Sequence, residues 1–222
     1  MAFLPKGPLT LTGGCYCKAV RYMVQVPSWE ERPLVPGALD TPISSNETVE
    51  TRMPLINIDH CNTCRQVSGA IVQCWLICPA GWVEWDLLVK DEVASAVSEG
   101  EKAERVRLGT LEAVGPMTLQ TKPPPRTYLA LFSSSDRATR SFCSRCGTNL
   151  SYVSHKRAAT PLATVDVATG SLDKESLELA KPDRHGWFDY GVGWVKHLLQ
   201  KGDGGFLIRH HTGDVSRAVE DA

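Results

Sequence analysis

Three short cysteine pairs stand far apart in this 222-residue chain: Cys15-Tyr16-Cys17, Cys61-Asn62-Thr63-Cys64 and Cys143-Ser144-Arg145-Cys146. Two thiolates two or three positions apart on a tight turn can face one ion, so each pair can grip one side of a zinc. Together the pairs offer six thiolates. A closed four-thiolate site uses four of them. The remaining two are too few to close a second site, which would therefore keep an open position, and an open zinc site is a catalytic site by default. The other two cysteines, Cys74 and Cys78, fall in the apolar run Ile71-Val72-Gln73-Cys74-Trp75-Leu76-Ile77-Cys78 and read as small buried hydrophobes. A disulfide framework is the weaker reading. A chain of this length needs no such staples, and CxC and CxxC pairs rarely close into structural disulfides.

The elements that must position these pairs are mostly short strands. Residues 9–14 and 18–26 alternate polar and apolar side chains and predict a hairpin with the first pair at its turn. Residues 28–54 are rich in Pro, Ser, Glu and Thr, without periodicity, and predict a long excursion. A strand over 55–58 delivers the second pair, and 61–69 can form a helical turn. Further strands are expected over 70–78, 82–89, 128–132, 150–153 and 161–167. Residues 90–105 suggest a short helix, 121–125 a Pro-rich turn, and 171–178 a single helical turn. The third pair sits in a knuckle over 140–147, where Gly147 can supply a positive φ. The tail over 204–222 has only a weak apolar element at 206–208. Short strands between turn signals predict a mainly β fold without internal repeats.

Composition narrows the function. Apolar content of 42% supports a real core, and a formal net charge of -1 argues against nucleic acid as a partner. No stretch reaches the roughly 20 apolar residues of a membrane span. The first residues lack the basic region and apolar core of a signal peptide, so a cytoplasmic location is expected, where paired thiols stay reduced and bind metal. The Asn46-Glu47-Thr48 sequon then reads as a polar loop.

Gly14-Cys15-Tyr16-Cys17-Lys18-Ala19-Val20-Arg21-Tyr22, His60-Cys61-Asn62-Thr63-Cys64-Arg65-Gln66-Val67-Ser68-Gly69 and Ser141-Phe142-Cys143-Ser144-Arg145-Cys146-Gly147-Thr148 occur in that order. In these three motifs the chain resembles the glutathione-dependent formaldehyde-activating (GFA) and centromere-protein-V-like family. Weaker late features are Ser133-Ser134-Ser135 before Arg140, Gly170-Ser171-Leu172-Asp173, and His185 with Trp187. The resemblance covers about residues 9–195 of what is expected to be a single domain over 1–222.

The resemblance implies an Mss4-like (β-tent) zinc-binding fold, here with long insertions. It implies a structural zinc on Cys15, Cys17, Cys143 and Cys146, a cross-link between pairs far apart in sequence. It implies a second, catalytic zinc on a C-x-C-x-x-C motif. In this chain Asp59 stands where the family has the first cysteine, giving Asp59, Cys61 and Cys64. A carboxylate is a legitimate zinc ligand, with Zn–O near ~2.0–2.2 Å. It donates less charge than a thiolate, so the ion becomes a stronger Lewis acid. Loss of the second site, or recruitment of His60 as a ligand, are the alternatives.

Arg65, Ser68 and Gly69 follow the second pair. Arg65 could meet a substrate carboxylate and Gly69 allow close approach, or all three could stabilise the local turn. Arg140 reads as a neutraliser of a thiolate site or as a surface ion pair. His185 and Trp187 read as a cleft wall or as core. Trp75, Trp82 and Trp85 read as core, and His210-His211 as tail.

The function that the resemblance implies is a zinc-dependent carbon–sulfur lyase. Glutathione or a similar thiol is its co-substrate, and it acts on the thiol adduct of an aldehyde or other small electrophile. A second reading is a glutathione-independent zinc enzyme that activates water or polarises a carbonyl through the carboxylate-ligated ion. A third is a zinc-stabilised binding module without catalysis. Small-molecule chemistry without nucleic acid or membrane is common to the first two.

Overall fold

The computed structural model describes residues 4–35, 37–42, 44–90, 104–116, 118, 125–205, 207–210 and 212. The alternating pattern at the start builds the hairpin of β1 (Leu9–Gly14) and β2 (Val20–Val26), paired from Leu9 opposite Val26 to Gly14 opposite Arg21. Strand β7 (Val83–Leu88) adds to β2, and β8 (Arg105–Gly109) adds to β7, giving an antiparallel four-stranded sheet in the order β1-β2-β7-β8.

The second sheet has seven strands. These are β5 (Leu55–Asp59), β6 (Gln73–Pro79), β9 (Leu129–Ser135), β10 (Ala138–Cys143), β11 (Asn149–Ser154), β12 (Thr164–Ala168) and β13 (Arg184–Gly186), in the order β13-β5-β6-β12-β11-β10-β9. Its pairs are antiparallel except the parallel β13–β5 edge. Within the 28–54 excursion, β3 (Thr41–Pro42) pairs with β4 (Thr48–Val49), Leu34 bridges Arg52, and Trp29–Glu31 forms a 3₁₀ turn. The fold is thus mainly β, as the sequence pattern implies.

Residues of both sheets bury one another. Leu11, Tyr22, Val24, Trp85 and Leu87 from the smaller sheet join Ile56, Leu76, Cys78, Val153, Val165 and Val167 from the larger in one cluster. On β6 and β12 this uses every second residue. Leu76, Cys78, Val165 and Val167 face the core, so Trp75, Ile77 and Asp166 face the other way, because strand side chains alternate across the sheet. The opposite face of the large sheet is thereby free for chemistry.

The helices are short: α1 (Asn62–Ser68), α2 (Thr110–Val114), α3 (His155–Ala158), α4 (Lys174–Leu179) and α5 (Gly193–Lys201). Strands β8 and β13 and helices α2, α3 and α5 have no counterpart among the sequence expectations. The expected helix over 90–105 lies outside the described residues except at its ends, and residue 105 opens a strand, β8. Residues 121–124 of the Pro-rich turn, Phe206, His211 and residues 213–222 of the tail also lie outside them. Among the described residues no helix is long and apolar enough to cross a membrane.

Trp85 has no exposed surface and its indole N–H donates to Thr110 Oγ1 at 3.3 Å. Trp85→Ala should therefore destabilise the fold by about 3–5 kcal/mol, read as a lowered denaturant midpoint at unchanged slope.

Candidate metal centre and cavity

The first and third cysteine pairs meet where the two sheets meet. Cys15 and Cys17 follow the end of β1, and Cys143 ends β10. Each pair is held by backbone hydrogen bonds of its own turn. Cys15 N donates to Val20 O at 2.8 Å and Lys18, at φ 62°, donates to Cys15 O at 3.0 Å. Cys143 N donates to Thr148 O at 2.9 Å and Gly147 N donates to Cys143 O at 2.8 Å. Gly147 takes φ 77°, the left-handed backbone expected there. The four ligand atoms lie within 4.8 Å of one another. Cys15 Sγ is 3.5 Å from Cys17 Sγ, which is 3.7 Å from Cys143 Sγ. Thiolates about 2.3 Å from one tetrahedral ion stand about 3.8 Å apart, so the group fits zinc.

Burial pushes the Cys15 thiol up and raises Cys143 to about 12. Burial acts upward on Cys146 as well, but hydrogen bonds with Thr148 and Cys17 outweigh it and bring that thiol down to about 6. A metal entering this group must displace protons from the raised thiols.

A second group forms where β5 ends and α1 begins. Asp59 is the last residue of β5, Cys61 the N-cap of α1, and Cys64 lies in the first turn of the helix. Their ligand atoms also lie within 4.8 Å of one another. Asp59 is 4% exposed. Its Oδ1 accepts from Cys61 N at 2.8 Å and its Oδ2 from the Trp75 indole N–H at 2.9 Å. Each oxygen retains a further lone pair for a metal. Arg140 Nη2 donates to Cys64 Sγ at 3.3 Å. Burial raises the Cys64 thiol to about 12, with the Arg140 hydrogen bond pulling the other way.

This second group lines a cavity of about 450 Å³ on the outer face of the large sheet. Cross-strand register builds its wall. Arg140 on β10 lies opposite Tyr152 on β11, Tyr152 opposite Asp166 on β12, and Asp166 opposite Ile77 on β6. Directly paired residues share a face, so Arg140, Tyr152, Asp166 and Ile77 form one row across the sheet. Trp75 and Asn57 extend the wall toward Asp59, and Trp187, 62% exposed, stands at the rim. Asp166 is tied to Arg157 of α3, whose Nη2 reaches both carboxylate oxygens at 2.7 and 2.8 Å. Burial raises the Asp166 carboxyl against that pairing.

Arg65, Ser68 and Gly69 do not line the cavity. Ser68 Oγ donates to Arg65 O at 3.2 Å, and Gly69, at φ 67°, caps α1 in the left-handed conformation. Ser68 and Gly69 thus shape the end of α1, while the Arg65 Nε is buried without an acceptor among the described residues. His60 is buried with Nε2 3.0 Å from His185 Nδ1, and its ring lies beside Phe188. It stands outside the Asp59, Cys61 and Cys64 group. Arg140 is 2% exposed, so of its two readings the surface ion pair is excluded. Tyr152, Arg157 and Asp166 escaped the sequence reading. The available signal was a charged residue inside an otherwise apolar strand, Val165-Asp166-Val167.

No family model and no curated protein matches the chain. A solved structure of a Rhodobacter sphaeroides protein aligns with 14% identity and a TM-score of 0.34. The alignment covers 78% of this chain and 98% of that one. So low a score carries no argument about fold or function.

Protein purified with excess zinc and washed free of loose metal should hold two ions per chain by elemental analysis, and Asp59→Ala one, with an unchanged circular dichroism spectrum. Cys146→Ser should be insoluble or unfolded. Because the Cys64 and Cys143 thiols sit near 12, they are protonated at neutral pH and zinc must expel those protons. Chelator competition should show zinc affinity rising about tenfold per pH unit for each proton displaced, and falling as pH drops from 8 to 6.

Proposed function

We propose that the protein is a zinc-dependent enzyme of the formaldehyde-activating type, making or breaking a carbon–sulfur bond between a thiol and the carbonyl carbon of an aldehyde or other small electrophile. The observation that carries this reading is the convergence of Asp59, Cys61 and Cys64 on the wall of a cavity large enough for a small molecule. A three-donor group leaves one position of a tetrahedral ion for substrate, whereas the four-thiol group leaves none. The resemblance of the three cysteine motifs points to glutathione or a similar thiol as co-substrate, and to an Mss4-like β-tent for the arrangement of sheets.

Zinc held there supplies positive charge that keeps a substrate thiol ionised at neutral pH and polarises a carbonyl oxygen. The chain's own residues prepare the place. Trp75 and the Cys61 amide fix the Asp59 carboxylate from two sides, so its orientation is set before any ligand arrives. Arg140 lies against Cys64. One carboxylate, two thiolates and a divalent ion sum to one negative charge, which the Arg140 guanidinium balances inside a buried site. Trp75 and Tyr152, with Trp187 at the rim, put ring surface on the cavity wall beside the donor group.

The carboxylate in the donor set supports a second reading, a glutathione-independent enzyme acting on an oxygen substrate, because a carboxylate leaves the ion harder than a third thiolate would. Thiol dependence separates the two. Exchange between formaldehyde, glutathione and their adduct, followed by magnetisation-transfer NMR, should quicken with the wild-type protein. Cys61→Ser should lower that catalysed rate by at least about a hundredfold, as loss of several kcal/mol of charge stabilisation requires. No acceleration by the wild type over the uncatalysed exchange would leave the second reading, or a non-catalytic binding module.

A further inference from the structure

Arg140 is 2% exposed, yet among the described residues its guanidinium makes one hydrogen bond, from Nη2 to Cys64. Its Nε and Nη1 are buried without an acceptor. Buried N–H groups are satisfied in the great majority of cases, and those of a cation most of all. Arg157, more exposed, also has donors to spare. Nη2 holds both oxygens of Asp166, and Nε and Nη1 make no hydrogen bond among the described residues. Its side chain is 35% exposed and lines the same cavity. Both guanidinium carbons lie near one aromatic ring, at 4.8 Å (Arg140) and 5.8 Å (Arg157) from the Tyr152 centroid. One wall of the cavity therefore carries two cations with unused donors.

We infer that this Arg140–Tyr152–Arg157 wall binds a carboxylate of the substrate, placing the reactive end of the molecule against Asp59, Cys61 and Cys64. A carboxylate is planar and accepts two parallel N–H bonds, which suits a guanidinium fork. The charge on the wall selects a monoanion. Asp59 and Asp166 also line the cavity, and a phosphate dianion would meet both. The aromatic surface of Trp75 and Trp187 leaves room for an apolar body between the charged end and the donor group. The subsite depends on the proposed function only in taking this cavity as the substrate's place; binding needs no turnover.

Calorimetric titration of the full zinc-loaded chain with 3-phenylpropionate and with its near-isosteric amide, 3-phenylpropanamide, tests it. The wild type should bind the acid at least about tenfold more tightly than the amide, a difference of about 1.4 kcal/mol. Arg157→Gln should abolish that preference while amide affinity and zinc content stay unchanged. If Arg157→Gln fails to fold, Arg157→Lys, which keeps the charge beside Asp166 but loses the fork, should lower the preference at least about threefold. Equal binding of acid and amide by the wild type overturns the subsite, as does absence of acid binding. So does a preference that survives in the variant, or an amide affinity that falls in step with the acid. An intact preference that Arg157→Gln removes, in a protein that accelerates no thiol exchange, sustains the subsite and rejects the carbon–sulfur reaction.

Discussion

Four thiols drawn to one point from two different sheets are the constraint on which the rest of the molecule depends. Cys17 and Cys143 are 126 positions apart in sequence, yet their sulfurs are 3.7 Å apart. No regular element continues through either turn; each pair is shaped by a few backbone hydrogen bonds and one left-handed residue, Lys18 or Gly147. A metal bound there closes a very long loop, and its binding free energy becomes folding free energy. That contribution is of the same order as the net stability of a whole domain, which is about 5–15 kcal/mol. The hydrophobic cluster between the sheets packs the same surfaces that the four thiols tie together.

The large sheet divides its labour by parity. One set of alternate residues, among them Leu76, Cys78, Val165 and Val167, fills the core. The other set gives Trp75, Ile77, Asp166, Tyr152 and Arg140 to the cavity. A charged row of this kind is costly to hold at low exposure unless each charge has a partner. Asp166 has Arg157, and Asp59 has the Trp75 indole and the Cys61 amide. Arg140 has Cys64 and the face of Tyr152. It is the least satisfied member, and it is the one nearest the candidate reacting centre.

Much of this was legible in the sequence. The hairpin around Cys15 and Cys17 follows from alternation, the strand before Cys61 from the short apolar run at 55–58, and a helical turn was expected over 61–69. The pairing of the first and third cysteine motifs required the resemblance, since spacing alone leaves every combination of pairs open. Asp59 was visible for the same reason. Arg157 and Tyr152 were not, because their meeting with Arg140 arises from register across β10, β11 and α3, which no local pattern encodes. The short helix α5 was missed because its mixed surface buries Val195 and leaves Trp194 outside, so no apolar stripe marks it. Gly69 caps α1 in the left-handed conformation, which fits the turn-stabilising one of its two readings.

Strand β10 carries both Arg140 and Cys143, three residues apart. The two candidate metal groups therefore share a mechanical element, although neither donates a ligand to the other. Whatever fixes Cys143 also fixes the height and tilt of the Arg140 guanidinium beside Cys64. The position of the cavity's cationic wall is therefore tied to the geometry of the four-thiol group. Thermodynamic reciprocity runs the same link backwards, so an occupant of the cavity that grips Arg140 raises the apparent affinity of the distant thiols for their ion. A molecule seated in the cavity would then oppose loss of an ion from thiols it never touches.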